Sequence, residues 1–99
     1  MLGITLLNIY EAMRDAGLVR SKRDFSRRWL GRGRQFARDY EQRKDRHLRK
    51  VSAKTVTALR ARLCALARYV YKEVAPDILK IVNMIDQGRA VADLVARGR

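Results

Sequence analysis

The sequence predicts an all-α protein, a small helical bundle of about five helices. Three observations carry this. Ala, Leu, Arg and Lys, which lose little on entering a helix, dominate the composition. Pro76 is the only proline, so no helix before it is broken. Apolar residues recur at spacings of three and four, and no segment alternates apolar and polar residues long enough to make a strand.

The first helix is expected over Thr5 to Ala16, with Leu6, Ile9, Tyr10 and Met13 on one apolar face and Gly17 as its left-handed stop. Leu18 and Val19 bridge to a second helix, Lys22 to Leu30. Its start is marked by Ser21 as N-cap and by Asp24 three residues on, and Phe25 and Trp29 point inward together. In Gly31-Arg32-Gly33 either glycine can take the positive φ of a tight interhelical turn. A third short helix follows, from Arg34 to Gln42, with Phe36 and Tyr40 as its buried pair.

Arg43 to Val51 is rich in bases, lacks apolar periodicity and reads as a loop. Ser52 then caps a long helix to Val74, whose stripe is Val56, Leu59, Leu63, Leu66, Val70 and Val74, flanked by Tyr69 and Tyr71. Pro76 and Asp77 favour a new helix start, so Asp77 to Asp86 should be helical through Ile78, Ile81, Val82 and Ile85. Gly88 is expected to kink or end it, Ala90 to Ala96 to add a last turn or two, and Arg97 to Arg99 to fray.

A chain of 99 residues is one compact unit whose folding buries only about 60 to 65% of its unfolded surface, so a partner chain would help it. The 23 Lys and Arg against 10 Asp and Glu give a net charge of +13, typical of proteins that meet a polyanion. Nucleic acid is the first partner class and an anionic membrane the second. No run approaches the roughly 18 apolar residues of a spanning helix. Met1 to Tyr10 has no preceding base and no small-residue cleavage site after it, so it reads as a first helix and not as a signal peptide. The lone Cys64 implies a small buried thiol and a reduced cytoplasm, with nucleoid association if the partner is DNA.

His47 stands alone, Cys64 has no ligand partner, and no Ser, His and acid set or Gly-rich phosphate loop can be assembled. The expectation is no enzymatic activity, no metal, no cofactor and no small-molecule substrate. The charge itself is concentrated: residues 1–19 sum to −1, residues 20–50 to +9 and residues 51–99 to +5.

Two short helices around a Gly-containing turn, with one helix before and a longer one after, form the layout of a helix-turn-helix, and here the layout coincides with the charge peak. The segment SKRDFSRRWLGRGRQFARDYEQ, Ser21 to Gln42, resembles the Cro and CI (Xre-like) regulators, and the broader likeness reaches Leu66. Phe25-Ser26 matches the family's apolar residue followed by a small one, and Trp29, Leu30 and Gly31 match the apolar residue and turn glycine with one extra residue. Aligned on Gly31, Ala37 and Tyr40 take the buried positions of the recognition helix; aligned on Phe25, Phe36 does.

The resemblance implies that the helix from Arg34 enters the major groove while the preceding helix lies across the backbone. Arg34, Gln35 and Arg38 then become base readers, since Arg pairs bidentately with guanine and Gln with adenine. Asp39 and Glu41 face away. Lys22, Arg23, Arg27, Arg28, Arg32, Lys44, Arg46, Arg49 and Lys50 become backbone contacts, which carry affinity and little sequence information.

Residues 1–66 thus form the DNA-binding unit and residues 67–99 a helical extension that suggests a two-fold dimer interface through Leu63, Leu66, Val70, Val74, Ile78, Ile81, Val82 and Ile85. The corresponding function is a homodimeric, sequence-specific transcriptional regulator or repressor on double-stranded DNA, reading half-sites about 34 to 36 Å apart. The alternatives are a sequence-independent nucleoid-type DNA-binding protein and a protein-interaction module, an anti-activator that keeps the fold.

Overall fold

A computed structural model of the chain describes residues 1–34, 36–37, 50–70 and 72–97. Helix α1 spans Gly3–Asp15. A short helix α2 (Lys22–Asp24) runs straight into a π-helical turn, Phe25–Trp29. Helix α3 spans Ala53–Tyr69 and α4 Ala75–Arg97. No strand occurs among the described residues, where the isolated bridge between Leu2 and Lys50 is the sheet-type pairing.

Local chemistry explains the boundaries. Leu18 N–H reaches Met13 C=O at 2.9 Å and Gly17 N–H reaches Arg14 C=O at 3.0 Å. With Gly17 at φ 76° this is a Schellman stop, so orphan carbonyls at the end of α1 are satisfied. The Ser21 hydroxyl accepts the Asp24 N–H at 3.2 Å, and the Ser52 hydroxyl accepts the Thr55 N–H at 3.3 Å, so both expected N-caps are formed.

Helices α1, α3 and α4 close a shared core, with Leu6, Ile9, Met13, Phe25, Leu59, Leu63, Ile78 and Ile85 all at 0% exposure. The α3 and α4 pair is antiparallel, since Arg60 meets Asp86 while Arg89 meets Thr57. The Arg60 guanidinium donates to both Asp86 oxygens, at 2.8 and 3.2 Å. Hydrogen bonding to that guanidinium holds the Asp86 carboxyl below its ordinary value.

Several expectations are corrected. The long helix does not reach Val74: Val70 turns to an extended conformation (φ −95°, ψ 164°), and the chain reverses there so that α4 can lie back along α3. Gly88 neither kinks nor ends the last helix, which runs unbroken from Ala75 to Arg97. Its bareness serves packing instead, because a Cβ at Gly88 would come within 2.7 Å of Thr5 Cγ2 where α1 passes.

The residues expected at a dimer interface are mostly taken up by the chain's own core. Leu63, Ile78, Ile81, Val82 and Ile85 are at most 6% exposed within the single chain and cannot face a partner in this fold. Leu66 and Val70 are half-buried against the same core, and Val74 is 39% exposed. Residue 66, where the DNA-binding unit was expected to end, lies inside α3. Helix α4 covers apolar residues of α1 and α3 that would otherwise face water, so the last third of the chain completes the fold.

Candidate nucleic-acid interface

The basic surface is built on α2. Ser21 caps the helix, and Asp24, its last residue, accepts the Arg20 N–H at 3.2 Å and an Arg28 Nη1 N–H at 3.4 Å. Around this one acid, Arg20, Arg23, Arg27 and Arg28 line an open groove of about 490 Å³. All four are exposed. Four cations on a single carboxylate leave the local field strongly positive, which suits a phosphate chain and not a small neutral ligand.

The turn after α2 is tied down from three sides. Leu30 N–H reaches Phe25 C=O at 3.1 Å, the five-residue reach of a π turn, and Arg32 N–H closes on Ser26 C=O at 2.9 Å. Gly31 holds φ 64°, so of the two turn glycines it is the one in the left-handed region. The fully buried Ser26 hydroxyl donates to Lys22 C=O at 2.7 Å and accepts the Ala37 N–H at 2.9 Å. It thereby links α2 to the helical residues Phe36 and Ala37 across the turn.

Arg32 completes the brace from α3. Its Nε and Nη2 donate to the buried Thr55 hydroxyl at 3.2 and 3.0 Å, and its guanidinium lies 5.6 Å from the Phe36 ring centroid. Arg62 reaches the Trp29 carbonyl and packs against Gly31.

Phe25–Trp29 forms a π turn, which takes up one more residue than an α turn. Ala37 is fully buried and Phe36 only partly.

Of the expected base readers, Arg34 is exposed, two residues before Phe36; Gln35 and Arg38 lie outside the described residues, as does Tyr40. Of the expected backbone contacts, Arg23, Arg27 and Arg28 share the α2 groove. Lys22 is half-buried with its ammonium 5.6 Å from the Tyr10 ring centroid. Arg32 is engaged with Thr55 and Phe36 as above, so it acts on the turn and not as a free clamp. Lys50 is exposed and its backbone pairs with Leu2. Lys44, Arg46 and Arg49 lie outside the described residues. Sequence reasoning missed Arg20, which joins the groove although it precedes the N-cap. It also missed the turn-facing Arg62, whose partner carbonyl is 33 residues away. Cys64 is half-buried beside an Arg60 Nη1 and not fully enclosed.

Residues 6–90 match a family described as a family of unknown function (DUF6626), and the chain belongs to that family. No curated protein and no solved structure matches it.

Proposed function

We propose that this member of the family binds double-stranded DNA, with Arg20, Arg23, Arg27 and Arg28 on the phosphate backbone and the segment from Arg34 directed at the major groove as in a helix-turn-helix. One observation carries the reading: Arg20, Arg23, Arg27 and Arg28 converge on one open groove around a single acid, immediately before a turn held by Ser26 and Arg32. A groove with that charge neutralises phosphates and releases their counterions. The biological role proposed with it is that of a transcriptional regulator. A second reading, sequence-independent binding of the nucleoid type, is favoured by the four exposed arginines of the groove, which are placed for phosphate contacts that carry no sequence information.

Fluorescence anisotropy with duplex DNA across a salt series tests the proposal. The double variant Arg23→Ala/Arg27→Ala should weaken binding alike on every sequence and make the log Kd against log salt slope shallower by about 1.8, two contacts at about 0.9 each. Arg34→Ala should instead relax preference for a site selected from random duplexes. Wild-type protein that binds no duplex at low salt would remove the proposal, and a double variant with an unaltered slope would remove the arginine groove from it. Equal wild-type affinity for all selected and unselected duplexes would choose the nucleoid-type reading.

A further inference from the structure

Helix α3 carries no acidic residue along its whole length, Ala53–Tyr69. Its inward side is Thr55, Val56, Leu59 and Leu63, all buried. Turning by 100° per residue puts Lys54, Ala58, Ala61, Ala65 and Arg68 on the opposite side, and all are exposed except the half-buried Ala58. Arg62 lies at the edge of that side next to the Gly31 turn. Neither Lys54 nor Arg68 has a carboxylate partner among the described residues.

Lys54 is the more telling of the two. It sits in the first turn of α3, where the helix dipole and unpaired N–H groups favour an anion and disfavour a cation, and that turn holds no acid. A cation kept at a site where local electrostatics oppose it fits a residue placed for an external anion.

We propose that the outward face of α3 is a second contact strip for the phosphate backbone of duplex DNA, continuous with the α2 groove through Arg62 and the Gly31 turn. This rests on the DNA-binding reading above and extends its footprint. Charge complementarity names the occupant: a strip with cations and no acid takes a polyanion, and the alanines between Lys54 and Arg68 let a backbone approach closely. The two cations are 14 positions apart in sequence, about 21 Å along the helix axis, the axial rise of about six nucleotides of one strand. Arg62 is a positioning residue here, because its guanidinium already holds the Trp29 carbonyl.

The test uses the full chain, a random-sequence duplex of two helical turns and a poly-glutamate competitor. Lys54→Ala/Arg68→Ala should leave the melting temperature unchanged, because both side chains are exposed and Ala is the best helix former, and should make the salt slope shallower by about 1.8. Lys54→Glu should raise the melting temperature while weakening DNA binding. A wild-type slope in Lys54→Ala/Arg68→Ala, with the slope of Arg23→Ala/Arg27→Ala reduced, overturns the α3 strip and leaves the α2 reading standing. A reduced slope in the α3 variant alone keeps the strip and removes the α2 groove from the proposal. Poly-glutamate that displaces the duplex at equal charge concentration overturns the strip as a DNA surface and assigns it to acidic protein. Absence of duplex binding by wild-type protein overturns both.

Discussion

At the residue scale the molecule turns on hydroxyls that hold two segments at once. Ser26 is fully buried and satisfied only because Lys22 offers a carbonyl and Ala37 an N–H. Replacing it by alanine keeps the volume close to constant but leaves the Ala37 N–H without its partner in a buried place. Such an orphan costs about 1 to 3 kcal/mol. Ser26→Ala should therefore lower the unfolding free energy by that amount, read as a lower urea midpoint at an unchanged m value, and should weaken DNA binding because Ala37 loses its anchor to the turn. A midpoint equal to wild type would show that the Ala37 N–H finds another acceptor. Roles at this scale are legible in sequence when they are local. The caps Ser21 and Ser52 act three residues away and could be read directly. Arg32 could not, because its partner Thr55 is 23 residues distant and nothing in the local pattern distinguishes a bracing arginine from a solvated one.

At the element scale the instructive unit is the π turn. Periodicity gave a helix from Lys22 to Leu30, and a helix is there, but the pattern cannot separate 3.6 residues per turn from a local excess over five residues. Only the comparison of two alignments hinted at it, by leaving one residue too many before Gly31. If the turn exists to absorb that residue, deleting one from it should restore an α-helix and leave both flanks in register. Deleting Arg28 should then yield a cooperatively folding protein destabilised by no more than about 2 kcal/mol, within the usual range for single changes. Deleting Ala61 from α3 should abolish folding, since every core residue after it rotates by about 100°. Circular dichroism melts of the two deletion variants decide this, and equal damage from both would mean that the π turn is not an absorbed insertion. The failed kink at Gly88 has the same origin: a glycine required by a neighbour at Thr5 looks in sequence like a glycine required by the backbone.

At the scale of the whole molecule two demands on charge oppose each other. A chain of net charge +13 folded to a radius of gyration of 13.3 Å repels itself, and few described ion pairs relieve it, Arg28–Asp24 and Arg60–Asp86 both being exposed. The excess works against stability, and a polyanion is the partner that the proposed function gives it. Helices α1, α3 and α4 supply the core on which that charge is carried, and this much was legible because apolar periodicity survives any charge on the outer faces. The assignment of Ile78, Ile81, Val82 and Ile85 to a partner chain was not, because a stripe records that a face is covered and not what covers it. Salt separates the two demands. Between 0.1 M and 1 M the Debye length falls from about 10 Å to about 3 Å, well inside the dimensions of the fold. Self-repulsion is then screened, so the melting temperature should climb steadily over this range, while duplex affinity should collapse as counterion release loses its driving force. A melting temperature that falls with added salt would mean that attractive pairs such as Arg60–Asp86 outweigh the repulsion, and that the surplus positive charge is not a load the fold carries for a ligand.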